Sequence, residues 1–109
     1  GRMPKVKELY DFEDNELRFL NTPIELDNNS IEILKMLLYN ERTTSNDVVA
    51  KLVDSGLSYD YASKVKNKIV DSLNEKFKFI TNSDTPFISV NKSSQDKRIQ
   101  TLEIIKYNN

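Results

Sequence analysis

The fold is decided by residues 58–77, SYDYASKVKNKIVDSLNEKF. At 3.6 residues per turn, the large apolar side chains recur on one side, which predicts an amphipathic helix packed against a core. That predicted buried stripe consists of Tyr61, Val65, Ile69, Leu73 and Phe77. The opposite side carries cations, amides and acids, namely Asp60, Lys64, Asn67, Lys68, Asp71, Asn74 and Glu75. One side of such a helix can contact a partner while the other holds the domain together.

Two shorter helices are predicted upstream of this stretch. Either Asp27 or Asn28 can cap the first, which runs to about Asn40, and either Thr44 or Ser45 can cap the second. Side chains of these types accept hydrogen bonds from the N–H groups that a first helical turn leaves unpaired. The side chains expected to face the core from these helices are Ile31, Leu34, Leu37, Leu38, Val48, Val49, Leu52 and Val53.

The link between the second helix and the long one is short. Gly56 can adopt the left-handed backbone conformation that ends a helix, and Ser58 can cap the next helix two residues later. A tight, glycine-containing connection of this kind is typical of a helix-turn-helix.

Residues 7–26 are predicted to form a small antiparallel meander of three strands. Apolar and polar side chains alternate in three short runs, as in strands with one buried face. The runs are separated by Asp14–Asn15 and Asn21–Thr22, and Asn and Asp favour turns because they tolerate left-handed backbone. The acids of this segment, among them Asp11 and Glu13, suit a sheet face left in water.

A second β segment is predicted after the long helix. Phe79–Ile80 read as a short extended piece. β-branched residues then favour two strands, 87–91 and 98–107, joined as a hairpin by a polar tip at 92–97. A C-terminal helix capped by Ser94 is the alternative, because Leu102 and Ile105 have a spacing that a helix allows.

Length and composition indicate one globular domain. The chain has 109 residues, of which 30% are charged and 38% hydrophobic, with no cysteine and no apolar run of membrane-spanning length. A cytoplasmic location without a membrane partner is therefore expected. Residues 1–6 look like a tag and linker, and residues 7–107 are predicted to form a single domain taken from a longer protein.

Charge is segregated along the chain although the formal net charge is only −1. The segment from Glu8 to Glu32 has eight acids and one Arg, whereas the segment from Leu57 to Lys78 has five Lys and three acids. A phosphate-bearing partner is therefore expected to avoid the first segment and to tolerate the second.

The order of meander, three helices and hairpin resembles the winged helix-turn-helix, specifically the OmpR/PhoB-type effector domain of bacterial response regulators. The resemblance is most specific in FEDNELRFLNTPIELDNNSIEILKMLL, residues 12–38. Residues at the positions of the family's Leu-Thr-x-x-Glu-x-x-Leu-Leu signature are Leu26, Asp27, Ser30, Ile33 and Leu34, with Ser30 in place of the Glu. Residues 73–77, LNEKF, resemble the Leu-Arg-x-Lys-Leu that ends the family's recognition helix, with Asn74 in place of the Arg.

The hairpin differs from that family, because its short Gly-Tyr hairpin is missing. The tip at Asp96-Lys97-Arg98 resembles the wing of MarR-type regulators instead. Together the resemblances imply an α+β winged helix-turn-helix, with an N-terminal antiparallel sheet, three helices and a C-terminal β-hairpin wing. They imply a sequence-specific DNA-binding domain of a two-component transcription regulator, with a receiver or sensor domain upstream.

On this interpretation the long third helix lies in the major groove of double-stranded DNA. The helix residues expected to face the groove are Ser63, Lys64, Asn67 and Lys68. The wing cations expected to reach phosphate or the minor groove are Lys92, Lys97 and Arg98, and Ser45 begins a helix whose N–H groups can bind phosphate. Because acids share the helix face, a homodimer on two half-sites is expected to strengthen binding.

Two other interpretations remain open. The near-neutral charge also suits a winged-helix module that binds protein through its acidic sheet or its wing, and the lysines can be a solvated face without a partner. An enzyme is not expected, because the chain has no His or Cys for acid–base or nucleophilic catalysis and only two Gly for a phosphate-binding loop. No cofactor or metal is expected either.

Overall fold

A computed structural model describes residues 9–40 and 42–105. The predicted tag at residues 1–6 and both ends of the predicted domain, 7–8 and 106–107, lie outside the described residues. The described chain is an α+β fold with three helices and two three-stranded antiparallel sheets, so the predicted fold class is confirmed at that level. The elements are β1 (Tyr10–Glu13), β2 (Glu16–Phe19), β3 (Thr22–Ile24), α1 (Asn28–Tyr39), β4 (Thr43–Thr44), α2 (Ser45–Asp54), α3 (Tyr59–Thr81), β5 (Ile88–Lys92) and β6 (Gln100–Ile104).

The first sheet is the predicted meander, in the order β1-β2-β3. Tyr10 lies opposite Phe19, and Asp14 and Asn15 both have positive φ values, 54° and 65°. Two consecutive residues with positive φ form the tight turn whose twist matches antiparallel strands, and Asp and Asn tolerate that conformation better than most residues.

The helix termini follow the predicted capping chemistry. The side-chain oxygens of Asp27, Thr44 and Ser58 each accept a backbone N–H three residues further on, at 2.8, 3.1 and 3.3 Å. Asp47 completes a capping box, because its carboxylate accepts the Thr44 N–H at 3.0 Å. Gly56 follows the end of α2 with a φ of 114°, a conformation that L side chains rarely adopt.

The second sheet has the order β4-β6-β5. β5 and β6 form the predicted hairpin, which confirms the hairpin over the alternative C-terminal helix. β4 was not predicted, because two threonines carry no strand periodicity. Its pairing with β6, in which Thr43 lies opposite Leu102, arises only when the chain folds back on itself.

The buried side of α3 differs from the predicted stripe. Tyr61 is 57% exposed, Val65 is half-buried, and α3 continues through the predicted extended piece Phe79–Ile80. The side chains that α3 buries are Ala62, Lys66, Ile69, Val70, Leu73 and Phe77. The helix is rotated because it packs toward the second sheet, where Val70 shares a groove with Leu102. Val53 of α2, also predicted to face the core, is exposed.

An aromatic cluster joins the two sheets to α3. Phe19 meets Phe77 and Phe87 edge-on, with ring centroids 5.0 and 4.9 Å apart, and Tyr10 meets Phe87 at 5.1 Å. Edge-to-face packing adds about 0.5–1.5 kcal/mol per pair beyond the burial of apolar area. The Tyr10 hydroxyl also donates to the Ile105 carbonyl at 3.0 Å. This bond links β1 to the residue that directly follows β6.

Asn74 fixes the hairpin against α3. Its side-chain amide donates to the Ile88 carbonyl at 2.9 Å and accepts the Ile88 N–H at 2.8 Å. The paired bonds hold the first residue of β5 at a set position along the helix. Asn74 therefore has a structural contact of its own.

Candidate nucleic-acid interface

The α3 side chains expected to contact DNA lie at the surface. Lys64, Asn67 and Lys68 are exposed, and Ser63 is half-buried. Asn67 and Lys68 are consecutive, so they point about 100° apart around the helix axis, with Lys64 between them. The helix therefore presents Asn67 on the side of the hairpin, Lys68 on the side of the meander and Lys64 directly to solvent.

A groove separates α3 from the N-terminus of α2 and from β6. It consists of two adjoining cavities of about 170 and 230 Å³, which share Ser45, Lys66 and Gln100. The predicted residues Ser63 and Arg98 line the first cavity, and Asn67 lines the second. The fold thus brings together four of the predicted site residues, Ser45, Ser63, Asn67 and Arg98, from two helices and the hairpin tip.

The first turn of α2 opens into this groove. Thr44, Ser45 and Asn46 all line the first cavity, and the Thr44 hydroxyl already satisfies the N–H of the third helical residue. The N–H groups of Ser45 and Asn46 precede the first intrahelical bond, so they are directed away from the helix. The Ser45 hydroxyl donates to the Gln100 side-chain oxygen at 3.3 Å, which ties α2 to β6.

Lys66 lies at the base of the groove and was not among the predicted site residues. It is only 8% exposed, and it makes no ion pair or hydrogen bond within the described ranges. Its ammonium keeps some contact with water, since no fully enclosed side-chain nitrogen or oxygen of the described residues lacks a hydrogen-bond partner. Desolvation by this burial lowers the pKa of Lys66 from its ordinary value. Sequence periodicity assigns a lysine to the solvated side of a helix, which is why this residue was missed.

Arg98 is held within the hairpin tip. Its guanidinium donates to both carboxylate oxygens of Asp96 at 3.1 Å. The backbone N–H of Arg98 donates to the same carboxylate at 3.0 Å. These bonds lower the pKa of Asp96 and raise that of Arg98. The Arg98 side chain nevertheless remains 90% exposed. The other predicted hairpin cations, Lys92 and Lys97, are exposed and line neither cavity.

The opposite side of α3 has a different character. Lys68 lines a cavity of about 410 Å³ together with Glu25 and Asp27, at the junction of the meander and α1. The floor of this cavity includes Leu57 and the half-buried Val65. Lys68 therefore shares its cavity with carboxylates of the same chain, whereas no Asp or Glu is among the described residues that line the first cavity.

Acids dominate the far end of the meander. Asp11, Glu13, Asp14 and Glu16 surround Arg18, which donates to Glu16 at 3.3 Å. All five side chains are exposed, so water solvates the excess negative charge. This end of the molecule disfavours a phosphate-bearing partner.

Neither a membrane-crossing helix nor a metal cluster is found in the part of the chain that the structure describes. None of its helices combines the length and apolarity that a membrane span needs. No group of three or more His, Cys, Asp or Glu side chains there is arranged to hold a metal ion. Comparison with protein-family models, with curated proteins and with solved structures found no match to this chain.

Proposed function

We propose that this chain is a winged helix-turn-helix domain that binds double-stranded DNA sequence-specifically, as part of a cytoplasmic transcription regulator. Three helices and an antiparallel sheet of order β4-β6-β5, whose β5–β6 hairpin follows α3, support the fold assignment. The observation that carries the function is the exposure of Lys64, Asn67 and Lys68 on the helix beside the hairpin.

In the proposed complex, the N-terminal half of α3 enters the major groove. That groove admits an α-helix and presents a different pattern of donors and acceptors for each base pair. The Asn67 amide can pair with base edges, and the long side chains of Lys64 and Lys68 can reach bases or phosphates. The hairpin cations that contact phosphate or the minor groove in this arrangement are Lys92, Lys97 and Arg98.

The acids of α3 limit the affinity of a single domain. Asp60, Asp71 and Glu75 are exposed on the same helix and repel phosphate. A homodimer on two half-sites, about one turn of DNA apart, doubles the number of favourable contacts. We therefore expect weak binding to a half-site and strong binding to a two-half-site operator.

The acidic meander is the surface proposed for an upstream receiver or sensor domain of a two-component regulator. It lies away from the groove, and its exposed carboxylates can pair with cations of another domain. DNA and the second domain therefore use separate surfaces.

A protein-binding module is the second candidate. Tyr59 and Tyr61, in the first turn of α3, are 65% and 57% exposed, and exposed aromatic side chains are typical of protein interfaces. The cavity that Tyr61 lines has an apolar floor and a charged rim. This candidate predicts no affinity for DNA even at low ionic strength.

A salt titration with a random-sequence duplex separates the two candidates, and charge reversal then tests the helix. Lys64→Glu with Lys68→Glu is expected to weaken binding by about 100-fold or more, because two phosphate-attracting charges become repulsive. Lys and Glu have similar helix propensities, so α3 is expected to remain folded.

The matched control is Lys76→Glu with Lys78→Glu. It makes the same change in net charge on the same helix, with the centre of the pair about 16 Å further along the axis. The proposal predicts less than about a threefold loss for this control. Equal losses in the two double variants, or unchanged binding by the first, would exclude α3 as the DNA-reading helix.

A further inference from the structure

The first cavity of the groove has the electrostatic character of an anion site. Lys66 and Arg98 line it, and no Asp or Glu is among its described lining residues. Asp47 lies in the adjoining helical turn, but its carboxylate is turned back to the Thr44 N–H and does not line the cavity. A negative group entering this cavity would meet Lys66, which is unpaired within the described residues, and Arg98, which is already paired with Asp96.

Lys66 is the residue that most requires an explanation. Partial desolvation of an ammonium that has no partner among the described residues is unfavourable, and the lowered pKa of Lys66 reflects it. A methionine or leucine would fill the same volume without this cost. Lys66 nevertheless lines both cavities of the groove.

The N-terminus of α2 faces the same cavity. The N–H groups of Ser45 and Asn46 have no partner in their own helix, and the helix dipole makes this end favourable for an anion. The half-buried Ser63, one turn before Asn67 on α3, adds a hydroxyl to the lining. Phosphate oxygens accept hydrogen bonds from all of these donors.

We propose that Lys66 and the first turn of α2 bind one backbone phosphate of the duplex. The inference rests on the proposed function, and it adds a contact that the exposed face of α3 does not make. The ammonium of Lys66 approaches the phosphate from α3, and the N–H groups of Ser45 and Asn46 approach it from α2.

A phosphate held there fixes the register of α3 in the major groove. Lys66 and Asn67 are adjacent in sequence, so one residue positions the backbone while its neighbour faces the bases. The Ser45–Gln100 hydrogen bond keeps α2 and β6 at a constant separation across the groove. Because the groove is formed before DNA binds, little ordering is needed on association.

Lys66→Met tests the contact, because methionine keeps the aliphatic stem and removes the charge. We expect affinity for a duplex to fall about tenfold and the slope of log K against log salt to decrease by about one. Lys51→Met is the matched control. Lys51 lies in the last turn of α2, where it pairs with Glu32 at 3.8 Å, away from the groove. Its loss is expected to change affinity less than about twofold.

Circular dichroism distinguishes loss of the contact from loss of the fold. Lys66→Met is expected to melt at or above the wild-type temperature, because a desolvated charge is replaced by an apolar group. If Lys66→Met binds duplex with wild-type affinity and wild-type salt slope, while Lys64→Glu with Lys68→Glu does not bind, the phosphate contact is wrong and the proposed function stands.

Titration with inorganic phosphate, followed by ¹⁵N-HSQC spectra at constant ionic strength, examines the groove without DNA. Saturable shifts of the Ser45 and Asn46 amides that Lys66→Met abolishes are the expected result. If the wild-type domain binds no duplex, the proposed function fails and this titration alone decides on the anion site. Small, uniform shifts, equal to those caused by chloride, would overturn the site.

Discussion

The meander end and the groove end of this molecule treat polar groups in opposite ways. At the meander end, acids such as Glu13 and Glu16 are exposed, and an aromatic cluster is packed behind them. At the groove end, Lys66 is buried without a partner among the described residues, and Ser45 and Asn46 at the start of α2 line the same cavity. Water solvates the polar side chains at the meander end. The groove end has hydrogen-bond donors that a ligand can use. Departures from local consistency of this kind are concentrated at functional sites.

The comparison predicts that the largest losses of stability come from the aromatic cluster. Phe77→Ala is expected to lower the free energy of unfolding by about 3–5 kcal/mol, because it leaves a cavity where both sheets meet α3. Urea denaturation followed by circular dichroism measures the loss. Phe79→Ala, two residues further along the same helix, is the control, since Phe79 is 90% exposed.

The control is expected to stay within about 0.5 kcal/mol of the wild-type value. A loss for Phe79→Ala as large as that for Phe77→Ala would show that the C-terminal end of α3 packs differently from the description above.

A second prediction distinguishes an asparagine that holds the hairpin, Asn74, from one proposed to contact DNA, Asn67. Asn74→Ala is expected to cost about 1–3 kcal/mol of stability, because the N–H and carbonyl of Ile88 lose their side-chain partners. Asn67→Ala makes the same change at an exposed position on the same helix. It is expected to weaken duplex binding while leaving the urea midpoint unchanged.

The two asparagines thus give a crossed pair of measurements, in which one variant mainly changes stability and the other mainly changes affinity. If Asn74→Ala unfolds at the wild-type urea concentration, the pair of bonds to Ile88 does not hold the hairpin.

Local chemistry was sufficient to predict the start of each helix to within one residue. Asp27, Thr44, Ser58 and Gly56 each act within three or four residues of their own position, so their roles can be read without knowledge of the rest of the fold. The C-terminal end of α3 was missed because aromatic and β-branched residues, here Phe79–Ile80, have strand propensity that tertiary packing can override.

The side of α3 that faces the core could not be predicted from local sequence. Apolar spacing at Tyr61 and Val65 is as regular as that at Ala62 and Val70, and only the position of the second sheet distinguishes them. The predicted site was correspondingly incomplete. Its exposed cations follow from the charge pattern, whereas Lys66 becomes noticeable only when α2, α3 and β6 are assembled around it.

The smallest predicted effect concerns the hairpin tip, where an internal acid competes for a cation. Asp96 occupies the guanidinium of Arg98 with two hydrogen bonds, and a phosphate approaching Arg98 must compete with that carboxylate. Asp96→Asn removes the negative charge but keeps a side-chain oxygen that can accept the Arg98 N–H, so the turn is expected to persist. We expect duplex affinity to rise about two- to fivefold, the range that an exposed ion pair can influence. Asp84→Asn, in the exposed loop before β5, makes the same change in net charge at the other end of the hairpin.

A fluorescence anisotropy titration at low salt compares the two variants. If both raise the affinity equally, the gain comes from net charge alone, and Arg98 does not contact the DNA. If only Asp96→Asn does so, the tip cation meets the DNA directly, as Lys66 is proposed to do from the other side of the groove.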